Sequence, residues 1–214
     1  MNKDLGLISS ASPDSSVSPN ISERAENKLC LANSLKLEGN TFFKQGNLKE
    51  AIRHYHRALL YIKGVESDGS NMLQNLSAAF TETMKTKHLE GKMDPNIIER
   101  NTQLKIDCYN NLAACLLKTE HPDFDKIVFY CDEVIKLTSC NPKTHFRMAQ
   151  ALFKLGDYNR ALESCQKSLE NQLQQDSQVI SLKTSCLAHL AKQTSQEKVL
   201  YSKMLGLKMN KQEF

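Results

Sequence analysis

Two stretches decide the fold: FFKQGNLKEAIRHYHRAL at 42–59 and LFKLGDYNRALESCQKSL at 152–169. Each carries Phe-Lys-x-Gly, a short polar turn, and then a helix that opens near an alanine. Small residues stand at fixed distances around the turn. Gly39 to Ala51 is 12 residues, with Tyr55 at +4 and Ala58 at +3; Ala149 to Ala161 is again 12, with Cys165 at +4 and Ser168 at +3. A middle copy runs Ala113, Ile127, Cys131, Val134 with steps of 14, 4 and 3, and its two extra residues fall in the turn TEHPDFD at 119–125. The pattern predicts paired helices. Small residues at set points let the two helices of a hairpin approach closely, and large residues of the next hairpin fill the gap.

Ala113 lies 36 residues before Ala149, and Gly39 lies 74 before Ala113. Once the longer turn is allowed for, the unit is about 34 residues with two helices, the period of the tetratricopeptide repeat. About forty extra residues then separate the first and second copies, inside 63–100. The expected architecture is all-α: a solenoid of three helical hairpins plus a long C-terminal capping helix. Repeats are expected at about 31–64, 106–139 and 142–175, an insertion at about 64–100, and the capping helix at about 176–206.

The flanks and joints follow from composition. Residues 1–19 are rich in Ser, Pro, Asp and Asn and too poor in apolar side chains to offset the entropy of ordering, which predicts a disordered arm. Asn20 and Glu23 form a capping-box pattern that opens a helix running to about Gln45. GVESDGSN at 64–71 has loop composition. NMLQNLSAAFTETMKTKHL reads as a further helix, and Asp94 followed by Pro95 marks the start of a long one to Thr119. In the last segment Val179, Leu182, Cys186, Leu187 and Leu190 make an apolar face near the 3.6-residue period, as a cap over the terminal repeat requires. Residues 207–214 read as a frayed tail.

Composition narrows the function classes. The 214 residues are 40% hydrophobic and 24% charged, with a net charge of +4. No apolar run approaches the ~20 residues of a membrane span. The N-terminus has no secretory h-region, so the expectation is a cytoplasmic protein, with a nuclear pool allowed. No basic block with interleaved aromatics points to nucleic acid. Seven cysteines without a CxxC pair read as reduced, buried thiols. There is no GxSxG, P-loop, HExxH or GxGxxG, so no enzyme is indicated and no cofactor is expected. His54 and His56 are two apart, on opposite sides of a helix, and make a poor metal pair. His145 is expected to flank the groove or pack at its rim.

The repeats bring distant residues onto one concave face lined by the first helix of each hairpin. Lys36 and Asn40 are four apart and share a side of their helix. Asn111 stands two residues before Ala113, and Arg147 two before Ala149, with Lys143 four before Arg147. Three cations and two amides aimed into one groove can hold paired carboxylates: arginine offers a fork, lysine a point charge and asparagine a directed donor. A peptide C-terminus beside an acidic side chain fits that chemistry. Asn110 has no assigned role.

K-x-x-x-G-N, N-L-A-A and K-x-x-x-R resemble the two-carboxylate clamp of Hsp90- and Hsp70-binding tetratricopeptide co-chaperones. All five positions match, and the likeness spans about 30–206. CYNNLAACLLK and the insertion before it resemble the tetratricopeptide repeat protein 9 family. EKVLYSKMLG is similar to the end of the final helix in FKBP-type immunophilins. The resemblance implies an adaptor that binds the EEVD-type C-terminal tail of Hsp90, Hsp70 or both, with Phe43, Ala114, Leu117 and Lys118 shaping pockets for apolar side chains of the tail. No isomerase domain precedes the repeats, so isomerase activity is not implied. A single Lys or Arg pair at i,i+4 is more often a solvated helix face; five matching positions over three repeats reverse that preference. The alternative is a repeat scaffold that binds a non-chaperone client, through the insertion or the convex face, with the clamp idle. A monomer is expected.

Overall fold

The computed structural model describes residues 21–79, 94–138, 141–170 and 176–205. These residues form seven helices: α1 Ile21–Lys44, α2 Leu48–Ala79, α3 Pro95–Leu117, α4 Phe124–Leu137, α5 Pro142–Leu155, α6 Tyr158–Glu170 and α7 Ser177–Met204. The pairs α1/α2, α3/α4 and α5/α6 are the three expected hairpins, and α7 packs on α6 and α5 as the cap. The N-terminal arm, the Asn20 cap, the far part of the insertion at 80–93, Cys140 and the C-terminal tail lie outside the described residues.

Why Phe-Lys-x-Gly occurs twice is visible in the turns. Gly46 and Gly156 have φ of 79° and 82°, the left-handed region that glycine enters without a Cβ penalty. Gly46 N donates to Phe43 O at 3.1 Å and Asn47 N to Phe42 O at 2.9 Å; Gly156 N donates to Phe153 O at 3.2 Å and Asp157 N to Leu152 O at 3.0 Å. The residue after each glycine then caps the next helix, since Asn47 Oδ1 accepts from Glu50 N at 3.3 Å and Asp157 Oδ1 from Arg160 N at 3.2 Å. The middle hairpin has no glycine and two more residues. There Thr119 Oγ1 satisfies Leu116 O at 2.7 Å, and Asp123 Oδ1 accepts from Lys126 N at 3.1 Å to open α4. Asp94 does the same for α3, accepting from Asn96 N at 2.9 Å ahead of Pro95.

The main core runs through all three hairpins. Tyr55, Leu112, Ile127, Cys131, Met148 and Leu152 are buried together, and Cys186 of α7 closes the stack. Gly39 sets the tightest approach: a Cβ there would lie 2.7 Å from Cε1 of the buried Tyr55 ring. Ala113 and Ala149 are buried at the matching points of α3 and α5.

Three expectations are corrected. The first is the loop at 64–71, because α2 continues as one helix through it to Ala79. Ile62 and Val65 are buried against Ala25 and Leu29 of α1 and Ile97, Leu104 and Cys108 of α3. Lys28 Nζ donates to Gly64 O at 3.1 Å, and Lys105 pairs with Glu66 at 2.8 Å. A mid-helix glycine costs about 1 kcal/mol, whereas burying Ile62 and Val65 contributes about 1.5–3 kcal/mol each; packing therefore overrides the loop composition. The second concerns Cys30, which is exposed, unlike Cys108, Cys115, Cys131, Cys165 and Cys186. The third concerns α7: Val179 and Cys186 are buried and Leu182 is half-buried, but Leu187 is 48% exposed. Each residue turns a helix by about 100°, so Cys186 and Leu187 cannot both face α6.

Gly39→Ala drives a methyl group into Tyr55. Overpacking of this kind costs about 1–3 kcal/mol, against a gain in helix propensity of about 1 kcal/mol. Urea denaturation should therefore show a lower midpoint than wild type, by a net loss of up to about 2 kcal/mol.

Candidate functional site

Helices α1, α3 and α5, the first of each hairpin, lie side by side with α3 in the middle. Lys36 and Asn40 project from α1, Asn111 from α3, and Lys143 and Arg147 from α5. The two asparagines meet directly: Asn111 Nδ2 donates to Asn40 Oδ1 at 2.9 Å. The same oxygen accepts from Tyr55 OH at 2.8 Å. Burial raises the Tyr55 phenol far above its ordinary value, with the neighbouring Cys115 adding to the effect, so the hydroxyl keeps its proton and donates. With both bonds made to Asn40 Oδ1, the Asn40 amide nitrogen is left as a donor, as is the second hydrogen of Asn111 Nδ2. The close approach at Gly39 is what brings Tyr55 within reach of Asn40.

Asn110 performs a role that the sequence reading did not assign. Its Oδ1 accepts from Thr144 Oγ1 at 2.6 Å and from Arg147 Nη1 at 3.1 Å. The adjacent asparagines thus serve opposite neighbours: Asn111 reaches α1 and Asn110 reaches α5. The signal lay in the position of the pair on the middle helix, where consecutive side chains about 100° apart address the two flanking helices.

The three cations differ in their surroundings. Lys36 is half-buried and pairs with Asp107 at 3.0 Å. Asp107 is in turn held by Gln103 Nε2, which donates to Oδ1 at 3.0 Å. Arg147 is half-buried beside Cys115 and Cys131, and burial draws its pKa below the ordinary arginine value while leaving it charged at neutral pH. Lys143 is exposed. Among the described residues neither Arg147 nor Lys143 has a carboxylate partner. Beneath the site, burial pushes the thiols of Cys108, Cys115 and Cys131 up to about 12 each, so they are neutral and poor nucleophiles.

Of the four flanking residues, two come together: Lys118 Nζ sits 4.5 Å from the Phe43 ring centroid. Phe43 and Leu117 pack against the main core, and Ala114 is half-buried on α3. His145 is buried rather than at the groove rim; it faces α4 and α6, where it lines a cavity with Asp132, Arg160 and Glu163. The two histidines of the HxH pair diverge, His54 to Glu38 at 3.2 Å and His56 to Tyr130 at 3.3 Å. Among the described residues no three His, Cys, Asp or Glu side chains converge as a metal ion would need, and no helix is long and apolar enough to cross a membrane.

Residues 142–172, which include α5 and α6, match the family described as Tetratricopeptide repeat. Over 133 residues the chain is 28% identical to tetratricopeptide repeat protein 9C of Xenopus tropicalis, covering 62% of this chain and 69% of that protein. Over 178 residues it is 26% identical to peptidyl-prolyl cis-trans isomerase FKBP42 of Arabidopsis thaliana, covering 83% of this chain but only 40% of the plant protein. Among solved structures it is similar to the C-terminal TPR-containing domain of a Plasmodium falciparum FK506-binding protein, with a TM-score of 0.59 and 24% identity over 80% of this chain and 95% of that one. The fold is that of a tetratricopeptide solenoid.

Asn110→Ala leaves the buried Thr144 hydroxyl and one Arg147 N–H without their acceptor. An unsatisfied buried group costs about 1–3 kcal/mol. Chemical denaturation of the variant should show a loss in that range, while Asn110→Asp, which keeps an acceptor, should lose less.

Proposed function

We propose that this chain, a tetratricopeptide solenoid of three hairpins and a cap, is a non-enzymatic adaptor that captures the acidic C-terminal tail of an Hsp90- or Hsp70-type chaperone in the cytoplasm. Lys36, Asn40, Asn111, Lys143 and Arg147 form the clamp. The observation that carries this reading is Arg147: a half-buried guanidinium held by a neutral amide, with no carboxylate partner among the described residues. A desolvated cation kept in place without a counter-charge is an arrangement suited to an anionic ligand. The pre-oriented amides of Asn40 and Asn111 supply donors at fixed positions for a terminal carboxylate. The motif pattern of the sequence supports the same ligand class.

A second reading rests on the opposite face. A groove of about 420 Å³ lies between α2, α3 and α4, lined by His56, Leu59, Leu60 and Tyr109 among others. Leu60 at its edge is 71% exposed, and Phe129 nearby is 54% exposed. A client protein could use that surface with the clamp idle.

The test is fluorescence polarisation of a labelled peptide ending in MEEVD, with the C-terminally amidated peptide as control. Removing one partner of a charged hydrogen bond costs about 1.5–3 kcal/mol, so Arg147→Ala should weaken binding by about 10- to 150-fold, and Lys36→Ala by less, because Lys36 is already paired with Asp107. Binding should also weaken as salt rises, because the clamp is partly open to solvent. Unchanged affinity in both variants, or no binding by folded wild type, would sink the clamp and turn attention to the α2–α4 groove.

A further inference from the structure

Asp107 stands one helical turn before Asn111 on α3, on the same side of the helix. It lies 36 residues before Lys143, the spacing that separates the matching alanines Ala113 and Ala149. The middle repeat therefore presents an acid at the register position where the third repeat presents a cation. Both carboxylate oxygens are engaged, Oδ2 by Lys36 Nζ at 3.0 Å and Oδ1 by Gln103 Nε2 at 3.0 Å. The Lys36 side chain is only 16% exposed in this pair.

We propose that Asp107 is a resident competitor for the groove, an affinity-setting residue whose carboxylate occupies Lys36 and must be displaced by the carboxylate of the ligand. The proposal rests on the clamp reading above and adds to it. Displacement exchanges one ion pair for another, so the ligand gains little at Lys36 itself. Lys143 and Arg147 bear no such competitor among the described residues, so the favourable surplus arises on α5. An acidic tail binds this groove less tightly than the same five clamp residues would bind it with a neutral side chain at 107.

The experiment is a double-mutant cycle on the full chain, read by polarisation with the MEEVD peptide. Asp107→Asn keeps the shape and an oxygen acceptor for Lys36 while removing the charge, and Asp107→Ser is a second neutral variant; thermal melts confirm that each is folded. Both should bind the peptide about ten-fold more tightly than wild type. In a Lys36→Met background the same changes should alter affinity by less than about two-fold, because the competition acts through Lys36. Equal or weaker binding by folded Asp107→Asn and Asp107→Ser would overturn the proposal and make Asp107 a residue that orients Lys36 for the ligand. A gain of equal size without Lys36 would also overturn it, as that outcome reports a general field and not competition. If neither wild type nor the neutral variants bind while all are folded, the clamp reading itself falls, and the competitor falls with it.

Discussion

The contact between Gly39 and Tyr55 is the constraint on which the site depends. Because position 39 lacks a Cβ, the Tyr55 ring of α2 packs directly against α1, and its hydroxyl arrives at Asn40. Asn40 in turn holds Asn111 on α3, which fixes one half of the groove face. The other half is fixed from the same middle helix by Asn110, which positions Thr144 and Arg147 on α5. Packing and polar order are therefore one system: a helix spacing set by a missing methyl group decides where the amides point. Charges on this scaffold are then held in place by packed helices and the amides between them.

Repetition made most of the fold legible. The 12-residue step between small residues, the glycines of the two matching turns and the Asn or Asp that follows each glycine all report local geometry, which a single chain states in its own residues. The course of α2 past residue 63 was not legible. Gly64, Asp68, Gly69 and Ser70 have the composition of a loop, and what overrides them is the burial of Val65 against residues of α1 and α3 that lie far away in sequence. Leu187 and Cys30 were misplaced for a related reason. A helical period identifies an apolar stripe but does not say how wide a stripe the neighbouring helix covers.

In the proposed site, the five candidate residues stood out because each stands at a fixed offset from a small residue of its repeat. Asn110 and Asp107 did not: Asn110 falls one residue off that offset, and Asp107 holds the register of Lys143 with the opposite charge. Their roles depend on which side chains of α1 and α5 come within hydrogen-bond distance of α3. Asp107 shows why counting cations along a motif misleads about field: of the three candidate cations, Lys36 is already matched.

The lengthened α2 has a mechanical consequence. In a stack of repeats each unit is held by its own packing and by its nearest neighbours, so unravelling starts where the interfaces are smallest. Here α1, α2 and α3 share a private core of Ala25, Leu29, Ile62, Val65, Ile97 and Leu104, beyond the core common to all repeats. The far end of the stack is closed by the small cluster of Ala149, Cys165 and Val179 beneath α7. The chain is thus stiff at one end and compliant at the other, and it should open from α7 inward. The α1 half of the groove would outlast the α5 half, so a partner that grips both halves would act as a splint across the weakest joint of the solenoid.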